Sequence, residues 1–132
     1  MQSVDNAVGL KAGQWVDAGT WQTGGAWAVS AWVKLDGFNN WQRIVDFGNG
    51  ANVDNILLAQ VSWDDRAGLH IKDAGWPGHD ENMNSSYGYW VTGQWIHAVM
   101  TIGEGGWDQS STKLYSNGVL YGSMNSSSPP TI

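Results

Sequence analysis

Three sets of residues in this chain could do chemistry, and each set asks for a different kind. Between positions 76 and 90 aromatic and polar side chains interleave: Trp76, His79, Asp80, Asn82, Asn84, Tyr87, Tyr89 and Trp90. A sugar ring offers an apolar C–H face that stacks on an indole or phenol, while Asp, Asn and His bond its hydroxyls, so this mixture suits carbohydrate binding. The competing role for any one of these rings is core filling or plugging a loop. Trp63 beside Asp64 and Trp107 beside Asp108 are secondary candidates for a stacking platform, whereas Trp21 and Trp27 read as core.

The second set is Asp46, Asn49, Asn52, Asp54 and Asn55, an acid-amide run around two glycines. Calcium takes several hard oxygens, backbone carbonyls included, from a bent loop, so these five are the candidate metal ligands. Asp and Asn are also ordinary turn residues that hydrogen-bond the backbone two positions on.

The third set is what catalysis would need, and here the sequence is poor. Glycoside hydrolysis uses a pair of carboxylates flanking the scissile bond. The only glutamates, Glu81 and Glu104, fall in separate loop-like regions, and Asp64-Asp65 are adjacent, so on a strand they would face opposite ways. His70, His79 and His97 form neither H-x-H nor H-E-x-x-H, and there is no cysteine to assist them. The expectation is that the domain is not an enzyme. No organic cofactor is implied. His97, inside an apolar run beside Trp95, reads as a packed, hydrogen-bonded histidine.

The elements that must position these residues are short. No helical period of useful length occurs, and apolar runs end on Gly, Asn, Asp or Ser. Strands are expected at Gln14–Asp17, Ala28–Leu35, Trp41–Phe47, Asn55–Val61, Gly68–Lys72 and Trp95–Ile102, then a hairpin of Thr112–Tyr115 with Val119–Ser123 turned by Asn117-Gly118. In Ala28–Leu35, Val29, Ala31, Val33 and Leu35 share one face and Ala28, Ser30, Trp32 and Lys34 the other. Residues 73–92 read as one long loop, a feature that in a small domain is usually functional or mobile.

Ten tryptophans and eighteen glycines among 132 residues fit a compact, aromatic-rich β domain. Twelve acids against six bases give a net charge of −6, without a basic cluster, which disfavours nucleic acid and anionic membrane as partners. No run approaches the ~20 apolar residues of a membrane span, and no membrane insertion is expected.

Five segments in order, G-Q-W-V-D-A-G at 13–19, V-S-A-W-V-K-L at 29–35, R-I-V-D-F-G-N-G at 43–50, W-I-H-A-V-M-T at 95–101 and K-L-Y-S-N-G-V-L at 113–120, resemble the laminin-G-like, concanavalin-A-like lectin jelly-roll family. The resemblance implies an all-β, antiparallel two-sheet jelly-roll sandwich over residues 1–123, with 124–132 a polar Ser/Pro tail leading toward C-terminal strands that such domains usually have. It also implies that Trp32 and Trp95 fill the space between the sheets and that calcium is held near a rim of the sandwich. An N-terminal strand without its usual neighbour would leave an open edge, and self-association through that edge is expected.

The function expected is a noncatalytic, lectin-like carbohydrate-binding domain, possible calcium assistance included. A protein-binding adhesion module and a structural spacer of a larger extracellular or phage protein are the alternatives. The partner expected is thus a glycan or a cell-surface protein, and the expected location is extracellular, as part of a larger protein, with no signal peptide expected within these residues.

Overall fold

The computed structural model describes residues 7–20, 26–48, 55–72, 80–102 and 112–124. Within them the strands are β1 (Trp27–Lys34), β2 (Gln42–Phe47), β3 (Asn55–Val61), β4 (Arg66–Lys72), β5 (Asp80–Asn84), β6 (Trp95–Ile102), β7 (Thr112–Ser116) and β8 (Val119–Met124). They pair antiparallel into two four-stranded sheets, β1-β6-β7-β8 and β2-β3-β4-β5.

Alternation along each strand decides what lies between the sheets. From β6 come Ile96, Ala98, Met100 and Ile102, and from β3 and β4 come Ile56, Leu58, Ala67, Leu69 and Ile71, all buried in one cluster with Met83 and Leu114. Val29 and Val33 of β1 pack against it from the edge. Burying side chains of this size contributes about 1.5–3 kcal/mol each, so the inner faces are what hold the sandwich closed. In β2 the register slips between Arg43 and Val45, a bulge that lets Ile44 and Val45 both pack on the core.

Three expectations are corrected. Gln14–Asp17 is not a strand: the segment 7–20 is exposed, and its polar groups are met locally, with Gln14 N–H donating to Lys11 O at 3.0 Å and Gly19 N–H to Asp17 Oδ1 at 2.8 Å. Residues 73–92 are not one loop, because Asp80–Asn84 pairs with β4, from Lys72↔Asp80 to Gly68↔Asn84. Its sequence, D-E-N-M-N, has low strand propensity, and pairing with β4 plus the burial of Met83 override it. Finally, Trp32 and Trp95 do not fill the core, being 65% and 40% exposed on the outer face of their sheet.

Gly68 shows how tightly the second sheet is fitted. A Cβ there would stand 2.6 Å from Val61 Cγ1 and 3.3 Å from Asn84 Oδ1. Val61 is β-branched and stiff, so Gly68→Ala is expected to destabilise the fold by about 1–3 kcal/mol in urea titration. Adding Val61→Ala should recover part of that loss. A single variant as stable as the wild type would mean that the strand gives way instead.

Candidate functional site

The outer face of β2-β3-β4-β5 is built in rows by the strand register. One row carries Asp46, Leu57, His70 and Asn82, and the next carries Arg43, Ala59, Gly68 and Asn84. Val61 and Arg66 are opposite each other one step further on. On this face Leu57, Ala59 and Val61 form a separate buried cluster, 7%, 0% and 2% exposed.

The Trp41 ring lies on this side of the sheet as well. It precedes β2, yet its indole meets the His70 ring on β4 edge-on, with centroids 4.5 Å apart. To reach β4 from the start of β2 the side chain must cross β3, since adjacent strands lie ~4.8 Å apart. A left-handed backbone at Trp41, φ 63°, points it there, and the indole stays 40% exposed. The result is an aromatic floor flanked by exposed amides at Asn82 and Asn84 and by the Arg43–Asp46 ion pair.

Beyond this floor stands the β3–β4 hairpin tip. Ser62 and Trp63 have φ 62° and 60°, and Asp64 N–H donates to Val61 O at 3.4 Å. That conformation costs an L residue about 1–2 kcal/mol, and a bulky one is a real outlier there. Ser62 N–H donates to Asn40 Oδ1 at 2.8 Å, tying the tip to the loop that carries Trp41. Arg66 forks onto both carboxylate oxygens of Asp64, Nε donating to Oδ1 and Nη2 to Oδ2, and lies over the Tyr87 ring at 4.8 Å. That hydrogen-bonded guanidinium holds the Asp64 carboxyl below its usual range.

Of the eight residues expected to bind a ligand, Asn82 and Asn84 lie on this face, and Tyr87 is 67% exposed beside Arg66. Asp80 begins β5. Trp76 and His79 lie outside the described residues. Tyr89 and Trp90 must be withdrawn as stacking residues, because they are 0% and 1% exposed. The segment between β5 and β6 crosses from one sheet to the other and carries both rings into the core. There Tyr89 donates its hydroxyl to Tyr115 O at 2.8 Å, accepts at its carbonyl from Ser116 Oγ at 2.9 Å and meets Trp90 edge-on at 4.6 Å. Burial pushes the Tyr89 phenol well above its usual range. Trp41 and His70, which make the floor, were not singled out from the sequence; Trp41 read as the first residue of a strand.

Of the five expected metal ligands, Asn49, Asn52 and Asp54 lie outside the described residues. Asn55 is 4% exposed, and its Oδ1 has no hydrogen-bond partner among the described residues. That oxygen and Asp46 Oδ1 both crowd Gly48, at 2.2 and 3.3 Å from where a Cβ would be. Two hard oxygens therefore converge beside the loop, one of them buried and unsatisfied, which fits a calcium ligand set in part. Among the described residues no group of three His, Cys, Asp or Glu is gathered.

On the opposite sheet, Trp32 stacks on His97 with centroids 5.0 Å apart and planes 28° from parallel, and Lys34 Nζ sits 6.0 Å from the Trp95 ring. The backbone N–H of His97 donates to Asn117 Oδ1 at 2.9 Å. This is an exposed aromatic strip whose neighbouring amide, Asn117, has its oxygen engaged by the His97 backbone.

A laminin-G family model, described as the concanavalin A-like lectin/glucanases superfamily, matches residues 7–132. No curated protein and no solved structure matches the chain.

Proposed function

The chain belongs to the concanavalin A-like lectin/glucanases superfamily, and on that premise we propose that it is a noncatalytic carbohydrate-binding domain whose site is the outer face of β2-β3-β4-β5. The observation that carries this reading is the Trp41 indole, held against His70 on β4, with Asn82 opposite His70 on β5 and Asn84 opposite Gly68 in the next row. A sugar ring would lie on the indole, and the two amides would fix its hydroxyls. No residue is assigned to bond cleavage. The domain acts outside the cell as part of a larger protein, and single-site affinity is modest, so repeated copies would raise avidity.

A glycan array probed with the purified domain tests this directly. Binding that Trp41→Ala removes supports the reading, whereas a blank array with folded protein moves the site to a protein partner. The observation favouring that second reading is the opposite sheet, where Trp32, Trp95 and Leu120 are exposed to 65%, 40% and 51%. Exposed aromatics of this kind make the centre of protein interfaces. Self-association would use the open side of β1, which among the described strands pairs only with β6.

Calcium is proposed at Asp46 and Asn55, with Asn49, Asn52 and Asp54 of the adjoining loop completing the set. The ion would neutralise that acidic loop and fix its shape at the end of the face. Millimolar calcium is expected to raise the melting temperature of EDTA-treated protein. A ligand at a hundred times its Kd stabilises by about 2.7 kcal/mol. Asp46→Asn should erase the shift, and identical melting with and without calcium would discard the metal.

A further inference from the structure

Among the described residues two turns between paired strands have both central residues at positive φ, and the chain fills them differently. Between β7 and β8 the residues are Asn117 and Gly118, φ 50° and 81°, which occupy this backbone at little cost. Between β3 and β4 the connection has four residues, 62–65, and its first turn, closed by Asp64 N–H on Val61 O, has Ser62 and Trp63 at its centre, φ 62° and 60°. Trp63 gains little from burial in return, since it is 67% exposed. A turn that only had to reverse the chain would be better served by Asn-Gly.

The second αL tryptophan, Trp41, sits in the loop to which this turn is bonded through Ser62 N–H and Asn40 Oδ1. On the other side the turn is braced by the Asp64–Arg66 pair and Tyr87. Strain held in place by its surroundings and presenting an aromatic ring to solvent points to a ligand contact.

We infer that Trp63 is a second stacking residue, which extends the face floored by Trp41 so that it holds a linear neutral glycan rather than one sugar. This rests on the carbohydrate-binding reading above. The span follows from the register: His70, against which Trp41 lies, and Arg66 at the foot of the turn are four residues apart on β4, ~13 Å. A site of that length would take a chain of sugar rings rather than one. The neutral class follows from charge: Arg43 and Arg66 are each paired with a carboxylate, Asp46 and Asp64, and the net charge of −6 repels polyanions.

The test is calorimetric titration of the wild type, Trp63→Asn and Trp41→Ala with cellohexaose, xylohexaose, mannohexaose and a heparin hexasaccharide, alongside glucose, xylose and mannose, plus thermal melts. The expected result is that Trp63→Asn melts higher than wild type by roughly 2–6 °C, as αL strain is relieved. It should also bind the preferred neutral hexasaccharide about 5–30-fold more weakly, with its affinity for the matching monosaccharide unchanged. If Trp63→Asn binds the hexasaccharide as wild type does while Trp41→Ala does not, the inference fails and the face reading stands. Preference for the heparin fragment overturns the neutral class. If the wild type binds none of these sugars, both readings fall.

Discussion

Trp90→Ala is expected to lower the unfolding free energy by about 3–5 kcal/mol, the range for removing a buried tryptophan. The indole is 1% exposed, lies in the main cluster between the sheets and meets Tyr89 edge-on. Its backbone N–H donates to Asp65 O at 2.9 Å, joining the sheet-crossing segment to the β3–β4 turn. Loss of the ring would leave a cavity that neither sheet can close without breaking its own pairing. Against a typical domain stability of 5–15 kcal/mol that is a large fraction, and the melting temperature should fall by roughly 10–20 °C. Trp90→Phe should cost less, because it keeps an aromatic in the space and removes an indole Nε1 that has no hydrogen-bond partner among the described residues. Equilibrium unfolding in urea measures both. A Trp90→Ala protein within 1 kcal/mol of wild type, by the same scale, would place the ring outside the core after all.

Trp41→Ala is expected to have the largest effect on binding, a loss of about 30-fold or more in affinity for any glycan the domain holds, equivalent to ~2 kcal/mol. The reason is that one side chain does two things on this face. Its exposed part is the stacking surface, and the rest of the ring packs edge-on against His70. Truncation therefore also uncovers apolar surface, and a smaller stability loss of about 1–2 kcal/mol should accompany the binding loss. Trp41→Phe separates the two effects by restoring part of the cover with a smaller ring. Trp32→Ala, on the opposite sheet, is the control and should leave glycan affinity unchanged. If Trp32→Ala weakens binding and Trp41→Ala does not, the sugar lies on the other sheet.

Strand placement was largely legible from side-chain pattern, because alternation and turn residues act over a few neighbouring positions. Asn55–Val61 and Trp95–Ile102 fall where the apolar runs put them, and Asn117-Gly118 turns the last hairpin. Alternation even assigned Trp32 to the face opposite Val29 and Val33, where the structure has it; the interior role that the family resemblance implied is what failed. β5 escaped notice because D-E-N-M-N is a strand only by virtue of its neighbour β4.

By itself, then, the sequence determined an antiparallel sandwich, the two faces of β1, and a chain rich in rings suited to sugar. Only the tertiary structure decided which rings face solvent. Tyr89 and Trp90 look like binding residues among their polar neighbours, yet the crossing from β5 to β6 carries them between the sheets. Trp41 looks like the start of a strand, yet it has a left-handed φ and its ring meets a residue that comes much later in the chain, His70. Alternation is a local rule with a period of two, whereas the exposure of a large ring depends on strands that meet it only after folding.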